Sequence, residues 1–186
     1  MTRRQIAPET NTTWLFAYGS LIWRPDFVYL ERRRAVLPGF VRQFWQGSHD
    51  HRGTPQAPGR VVTLVPDAKR RCLGMAYRLD PVTRAEVLAA LDHREKNGYE
   101  RRELTLLDDQ GEALPSLVYL APAGNFAWLG EATPQAIAEQ IANSHGRSGS
   151  NAEYLQELIA ALRLLGADDD QHLVDLHEAV TRLLAR

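Results

Sequence analysis

The chain has 186 residues, 44% hydrophobic and 24% charged, with 22 Lys and Arg against 23 Asp and Glu. That length suits one domain with a sizeable core, and the near-balance of charge leaves no field to favour nucleic acid or an anionic membrane surface. No stretch reaches the ~20 apolar residues of a membrane helix, and the lone cysteine, Cys72, excludes a disulfide framework or a cysteine zinc site within one chain and suits a reducing compartment.

Residues 1–12 read as a flexible lead-in. Arg3-Arg4 has no apolar segment behind it, so this stretch is not a secretory signal. Trp14-Leu15-Phe16-Ala17-Tyr18 is a short apolar run ended by Gly19-Ser20, which predicts a buried strand entering a tight loop. A second strand is expected over 39–45 and a long Gly-, Pro- and His-rich loop over 47–60. Strands follow over 61–65 and 72–79, joined by a polar turn around Asp67-Ala68-Lys69. The period then changes. Asp80-Pro81 reads as an N-cap and first helical proline, with Val82, Ala85, Leu88 and Leu91 at helical spacing and a stop near Asn97-Gly98. Strands near 100–107 and 114–121 precede three helical patterns, over 134–143, 151–165 and 170–184. Strands followed by helices, with one helix between, argue an α+β fold with a mainly antiparallel sheet and helices at its flank.

Three stretches can carry chemistry. Tyr18-Gly19-Ser20-Leu21 offers backbone N–H groups unshielded by a large side chain, a candidate anion site, or else a plain strand-to-loop turn. Asp92 to Tyr99 is either a solvated helix end or the setting for Glu95. At a helix C-terminus the macrodipole opposes ionisation of Glu95 and burial acts the same way, which gives a carboxyl group suited to general base work; Lys96 would oppose the shift if it faced the same side. Gly146 to Asn151 opens a helix and either binds an anion or supplies a cap from Ser150 or Asn151. Cys72 reads as a buried apolar residue. His49 and His51 lack a third ligand cluster, so no metal is expected. Trp14, Trp23, Trp45 and Trp128 read as core or pocket wall.

Taken together, these stretches resemble the ChaC family. Tyr18-Gly19-Ser20-Leu21-Ile22-Trp23 resembles its substrate loop, and His51-Arg52-Gly53-Thr54-Pro55 with Pro58-Gly59-Arg60-Val61-Val62-Thr63-Leu64 its second signature. Leu91 to Tyr99 resembles its catalytic segment, and Ser148-Gly149-Ser150-Asn151 with Glu153-Tyr154-Leu155 its helix-opening motif. All four stand in the family's order. Arg147 stands where proline is expected and Trp128 where tyrosine is commoner. The resemblance implies a single γ-glutamylcyclotransferase-like domain over 1–186, built as a small mixed or antiparallel β-barrel flanked by helices, with no metal or organic cofactor. It implies a cytoplasmic enzyme that converts glutathione, or a related γ-glutamyl peptide, to 5-oxoproline and Cys-Gly, with neither nucleic acid nor membrane as a partner. Glu95 would be the acid/base and Tyr18, Gly19, Ser20, Leu21, Ile22 and Trp23 would hold the γ-glutamyl group. Tyr154 is a further pocket candidate and Arg60 a candidate for a substrate carboxylate. The alternatives are a γ-glutamylamine cyclotransferase and a non-catalytic small-ligand-binding protein; the presence of Glu95 argues against the latter.

Overall fold

A computed structural model describes residues 13–167 and 170–185; the lead-in expected over 1–12 lies outside the described residues. The apolar run folds as β1 (Thr13–Ala17), and Ser20–Ile22 forms a single 3-10 turn immediately after it. Two long strands follow, β2 (Glu31–Ser48) and β3 (Gly59–Leu79), then α1 (Arg84–Arg94), β4 (Glu100–Asp108) and β5 (Ala113–Leu120). The five strands close into a barrel in the order β1-β3-β2-β4-β5, with β5 returning to β1. The β1–β5 pairing is parallel and the others antiparallel, so the barrel is mixed, as the resemblance implied.

Sequence periodicity located only half of β2. Its first part, Glu31-Arg32-Arg33-Arg34, looks too polar for a strand, yet Glu31 lies directly opposite Arg78 and accepts a hydrogen bond from its Nε at 2.9 Å. Opposed charges across a ladder stabilise the pairing that the polar run obscures. The turn expected at Asp67–Lys69 is instead a bulged stretch of β3: Phe40 pairs with Pro66 and Pro38 with Arg71, so Asp67 to Arg70 lie opposite Gly39 alone. Gly39 takes φ +78, a conformation glycine adopts without cost, and such bulges supply the local bending that a small closed sheet needs. Helix α1 also starts later than expected. Thr83 is its N-cap, while Asp80 closes a preceding turn by accepting the Val82 N–H at 2.9 Å.

The remaining helices are α2 (Pro134–Asn143), α3 (Asn151–Leu164) and α4 (Gln171–Leu184). Thr133 and Ser150 cap α2 and α3 with their side chains. Between them, β6 (His145–Gly146) and β7 (Gly149–Ser150) form a two-stranded hairpin. The core joins barrel residues such as Leu15, Phe16, Phe44, Tyr77 and Leu106 to Ile137, Ile141, Leu155, Leu158 and Leu176 from the helices. Among the described residues no helix is long and apolar enough to cross a membrane.

Candidate active site

The barrel opens onto two adjoining cavities that share Ser20, Glu95, Tyr99 and Tyr154 as walls. The inner one is small, about 50 Å³, and is lined by Tyr18, Gly19, Ser20 and Leu21 on one side and by Val62, Tyr99, Tyr119 and Tyr154 on the other. The outer one, about 120 Å³, adds Trp23, Arg24, His51, Arg52, Arg94 and Ser148.

The loop after β1 supplies the inner wall. The 3-10 turn uses the Gly19 and Ser20 carbonyls, which accept from Ile22 at 2.9 Å and Arg24 at 2.8 Å. The N–H groups of Gly19, Ser20 and Leu21 meet no acceptor among the described residues, as expected at the start of a turn. A Cβ on Gly19 would come within 3.0 Å of Val62 Cγ2 and 3.1 Å of Tyr154 Oη, so only glycine lets the backbone approach this closely. Tyr18 lines the inner cavity while its hydroxyl donates to the Tyr119 carbonyl at 2.6 Å. Leu21 lines it too. Trp23 lies in the outer wall, edge-on to Tyr154 with ring centroids 5.5 Å apart, and donates to Glu157 at 3.0 Å. Ile22 lines neither cavity: its side chain is buried in the core and its carbonyl accepts from Tyr77.

Glu95 lines the same inner cavity from a different part of the chain. It is the C-cap of α1, and the chain after it is tied down: Gln46 donates to the Asn97 carbonyl at 2.8 Å and Asn97 to the Gly47 carbonyl at 2.9 Å. Gly98 then turns the chain at φ +89, where a side chain would also strike Asn125, and delivers Tyr99 to the cavity. Burial pushes the Glu95 carboxyl up from its ordinary value, and Arg94, with Nε 3.4 Å from Oε1, opposes that shift. The opposing cation is thus Arg94 rather than Lys96. Arg94 divides its charge, donating to Ser20 Oγ at 2.9 Å and approaching Asp26 at 3.4 Å. Burial, and then the nearby Glu95 charge, hold the Tyr18 hydroxyl above its ordinary range; Tyr99 and Tyr154 move the same way, with burial the leading cause. These tyrosines therefore remain neutral next to the carboxylate; Tyr18 and Tyr99 donate their hydroxyl protons to the Tyr119 and Val62 carbonyls, and only the Tyr154 hydroxyl has no acceptor among the described residues.

Two expectations shift. Arg60 does not face the cavities: its guanidinium donates to Gln140 at 2.7 Å and to the carbonyls of Phe44 and Gly130, which makes it a clamp between β3 and α2. The 146–151 segment is likewise structural. The N–H groups of Arg147 and Ser148 donate to Asp50 and His51 carbonyls at 3.0 Å, Ser150 caps α3, and the Asn151 side chain pairs with both backbone groups of Arg60. Only Ser148 reaches the outer cavity, where its hydroxyl lies 2.8 Å from His51 Nδ1. Tyr154, by contrast, is a wall of both cavities. Arg52, Arg94 and Tyr99 were inside the motifs quoted from the sequence but not singled out there. Arg52 is 5% exposed, and its guanidinium donates to Glu153 at 2.8 Å and Glu157 at 3.1 Å. Nothing in its sequence spacing distinguishes it from Arg60.

The other candidates fall away from the site. Cys72 is buried and its thiol is pushed up by burial, which makes it a poor nucleophile. It borders a larger open cleft of about 710 Å³, apart from Glu95, whose arginines Arg34 and Arg42 pair with Asp109 and Asp170. His49 stacks on Phe126, and among the described residues no three His, Cys, Asp or Glu side chains group as a metal site. A single partly buried carboxylate in one cavity with unpaired N–H groups and neutral phenols can move a proton next to an oxygen that gains negative charge.

A profile of the ChaC-like protein family matches residues 13–183. The glutathione-specific γ-glutamylcyclotransferase 1 of Homo sapiens is 40% identical over 181 residues, covering 95% of this chain and 82% of its own. The glutathione-specific γ-glutamylcyclotransferase of Saccharomyces cerevisiae is 35% identical, covering 94% of this chain and 98% of its own. A crystal structure of a γ-glutamylcyclotransferase specific to glutathione from yeast superposes with a TM-score of 0.87 at 32% identity, covering 92% of this chain and 96% of that one.

Proposed function

This chain belongs to the ChaC-like protein family, and from that premise we propose that it is a glutathione-specific γ-glutamylcyclotransferase that works as a single domain in the cytoplasm. Glutathione is converted to 5-oxoproline and Cys-Gly. The observation that carries the site assignment is the position of Glu95: a partly buried carboxylate that lines one small cavity together with Gly19, Ser20 and Leu21, whose N–H groups meet no acceptor among the described residues. The lone, buried Cys72 fits a compartment in which glutathione keeps thiols reduced.

The reaction asks little beyond this. The γ-glutamyl group brings its own nucleophile, the α-amine, and attack on the γ-carbonyl closes a five-membered ring. The walls from Tyr18 to Leu21, with Tyr99 and Tyr154, fold the substrate so that amine and carbonyl meet, and orientation of this kind is worth up to about 7–11 kcal/mol. Glu95 takes a proton from the α-ammonium group and so frees the amine lone pair for attack; a carboxyl group raised by burial suits that task near neutral pH. As the new C–N bond forms, the γ-carbonyl oxygen becomes an oxyanion, and the Gly19 and Ser20 N–H groups are the donors placed to receive it. Collapse breaks the bond to cysteine as Glu95 returns its proton to the leaving amine; Glu95 then takes the second proton of the ring nitrogen and passes it to the released amine, which leaves a neutral lactam and a free carboxylate. The leaving Cys-Gly portion extends into the outer cavity.

Release of 5-oxoproline from glutathione by the purified protein, beside Glu95→Gln, tests this. The amide is nearly isosteric but accepts no proton, so turnover should fall by ~10²–10⁴-fold with the fold intact. A folded Glu95→Gln within a few-fold of wild type would sink the acid/base role. Preference for γ-glutamyl-lysine over glutathione would move the assignment to a γ-glutamylamine cyclotransferase.

A further inference from the structure

Arg42 of β2 is 3% exposed, yet it is not part of either active-site cavity; it lines the separate cleft that also holds Cys72. Its guanidinium contacts three other segments. Nε donates to the Tyr18 carbonyl at 2.7 Å, Nη2 to the Leu73 carbonyl of β3 at 2.7 Å, and Nη1 to the Asp170 carboxylate, just before α4, at 3.3 Å. A buried guanidinium is costly to desolvate unless its donors are satisfied, and here they converge on one peptide group of consequence.

That group is the Tyr18–Gly19 peptide. The described backbone has no cis bonds, and in a trans peptide the C=O and N–H lie in one plane and point in opposite directions. A carbonyl held on Arg42 therefore fixes the direction of the Gly19 N–H, away from Arg42. That N–H meets no acceptor among the described residues, and Gly19 lines the inner cavity from which Arg42 is absent. We propose that Arg42 is a positioning residue: it locks the Tyr18–Gly19 peptide plane so that the Gly19 N–H is presented to substrate, and Asp170 holds Arg42 in place from the start of α4. The inference rests on the reading of the Gly19–Leu21 N–H groups as substrate donors given above.

The variant to use is Arg42→Lys. It keeps a cation for Asp170, but a single ammonium does not reproduce the planar fork that reaches Tyr18, Leu73 and Asp170 together. The readouts are kcat and KM for glutathione and the Gly19 amide resonance during titration with 5-oxoproline. In the wild type, 5-oxoproline should shift the Gly19 amide; an unmoved resonance there would overturn the placement of substrate on this loop rather than the role of Arg42 alone. With the loop confirmed in this way, Arg42→Lys should lose about tenfold or more in kcat/KM, largely in kcat, and lose the Gly19 response, at temperatures where it is folded. A purely scaffolding arginine would change the melting temperature and leave both readouts intact, and that outcome overturns the proposal. Asp170→Asn, which loosens the anchor and leaves the Tyr18 contact in place, should give a smaller loss in the same two readouts. Should Arg42→Lys not fold, Asp170→Asn decides: kcat/KM within about twofold of wild type with an unchanged Gly19 response would refute the idea.

Discussion

Gly19→Ala is the sharpest probe of how closely the loop backbone must approach the site. Gly19 has φ −130 and ψ −137, so the strain of a left-handed glycine does not arise, and the substitution is judged by the contacts its added Cβ makes. The added Cβ would stand 3.0 Å from Val62 Cγ2 and 3.1 Å from Tyr154 Oη. Carbon contacts are optimal at about 3.5–4.0 Å, so relief requires a shift of about 0.5 Å by the loop, by Tyr154 or by both. Overpacking costs about 1–3 kcal/mol. The lower end applies because Tyr154 borders a cavity and has room to move, and about 1 kcal/mol lowers Tm by only about 2–4 °C in a domain of this size. Catalysis is more sensitive. A 1 Å misplacement can cost about 10²-fold, so half of that predicts a drop of about tenfold in kcat/KM, seen in kcat as well as KM because attack geometry is lost along with affinity. Release of 5-oxoproline measured across glutathione concentrations separates the two parameters. The Tyr154→Phe background removes one of the two close atoms, so the stability cost of Gly19→Ala should be smaller there, a coupling that a double-mutant cycle reads directly. A kcat/KM within about twofold of wild type, or the same stability cost in both backgrounds, would refute the reasoning.

Three other outcomes follow from the geometry. Burial raises the Glu95 carboxyl in the folded state, so the unfolded chain ionises first, and stability declines as pH rises from the ordinary carboxylate value through the raised one. Glu95→Gln should therefore melt higher than wild type at neutral pH and lose that advantage below about pH 4; a lower melting temperature at neutral pH would contradict the burial argument. Arg60→Leu strips the Phe44 and Gly130 carbonyls and Gln140 of their partner and should cost about 3 kcal/mol of stability, while kcat/KM in the folded fraction stays unchanged; a specific rise in KM would return Arg60 to the substrate. Glutathione should exceed γ-glutamyl-alanine in kcat/KM by at least about tenfold, because Cys-Gly fills the outer cavity and its binding energy fixes the reacting end; equal values would remove that cavity from the site.

The parts of the fold legible in the sequence were those in which local pattern and tertiary environment agree. Trp14 to Ala17 is apolar and also buried. Thr133-Pro134 marks a helix start through chemistry that acts within one turn. Legibility failed where partners distant in sequence decide. Glu31 and Arg33 hold a strand edge only because Arg78 and Asp108 lie across from them. The stretch 67–70 has the composition and the local Asp67–Lys69 contact of a turn, but pairing with β2 on both sides of it makes it a bulge within one long strand. The same limit divides the arginines. Arg52 and Arg60 stand eight positions apart in one motif, and β3 directs Arg60 toward α2 while the 49–58 loop sets Arg52 against Tyr154.

For Glu95 the sequence predicts the direction of the shift, from its place at a helix C-terminus, but not the residues that bury it. In the sequence it lies between Arg94 and Lys96, neighbours that alone would favour its ionised form. The shift runs the other way because Tyr18 after β1, Tyr99 before β4 and Tyr154 on α3 converge on it and exclude water, three residues from separate parts of the chain. The division of charge between the cavities preserves that effect. The walls of the inner cavity include no cationic side chain, so the oxyanion of the proposed reaction would be met there by backbone N–H dipoles. A full positive charge at that point would stabilise the oxyanion more strongly, but it would also draw the carboxyl of Glu95 down and weaken it as a base. The arginines stand instead around the outer cavity: Arg52 is offset by Glu153 and Glu157, and Arg94 is shared between Asp26 and Glu95 itself, 3.4 Å from each. In the proposed reaction, neutral donors at the reacting carbonyl and a burial effect that outweighs Arg94 are therefore parts of one arrangement, since each would keep Glu95 able to take up a proton and then return it.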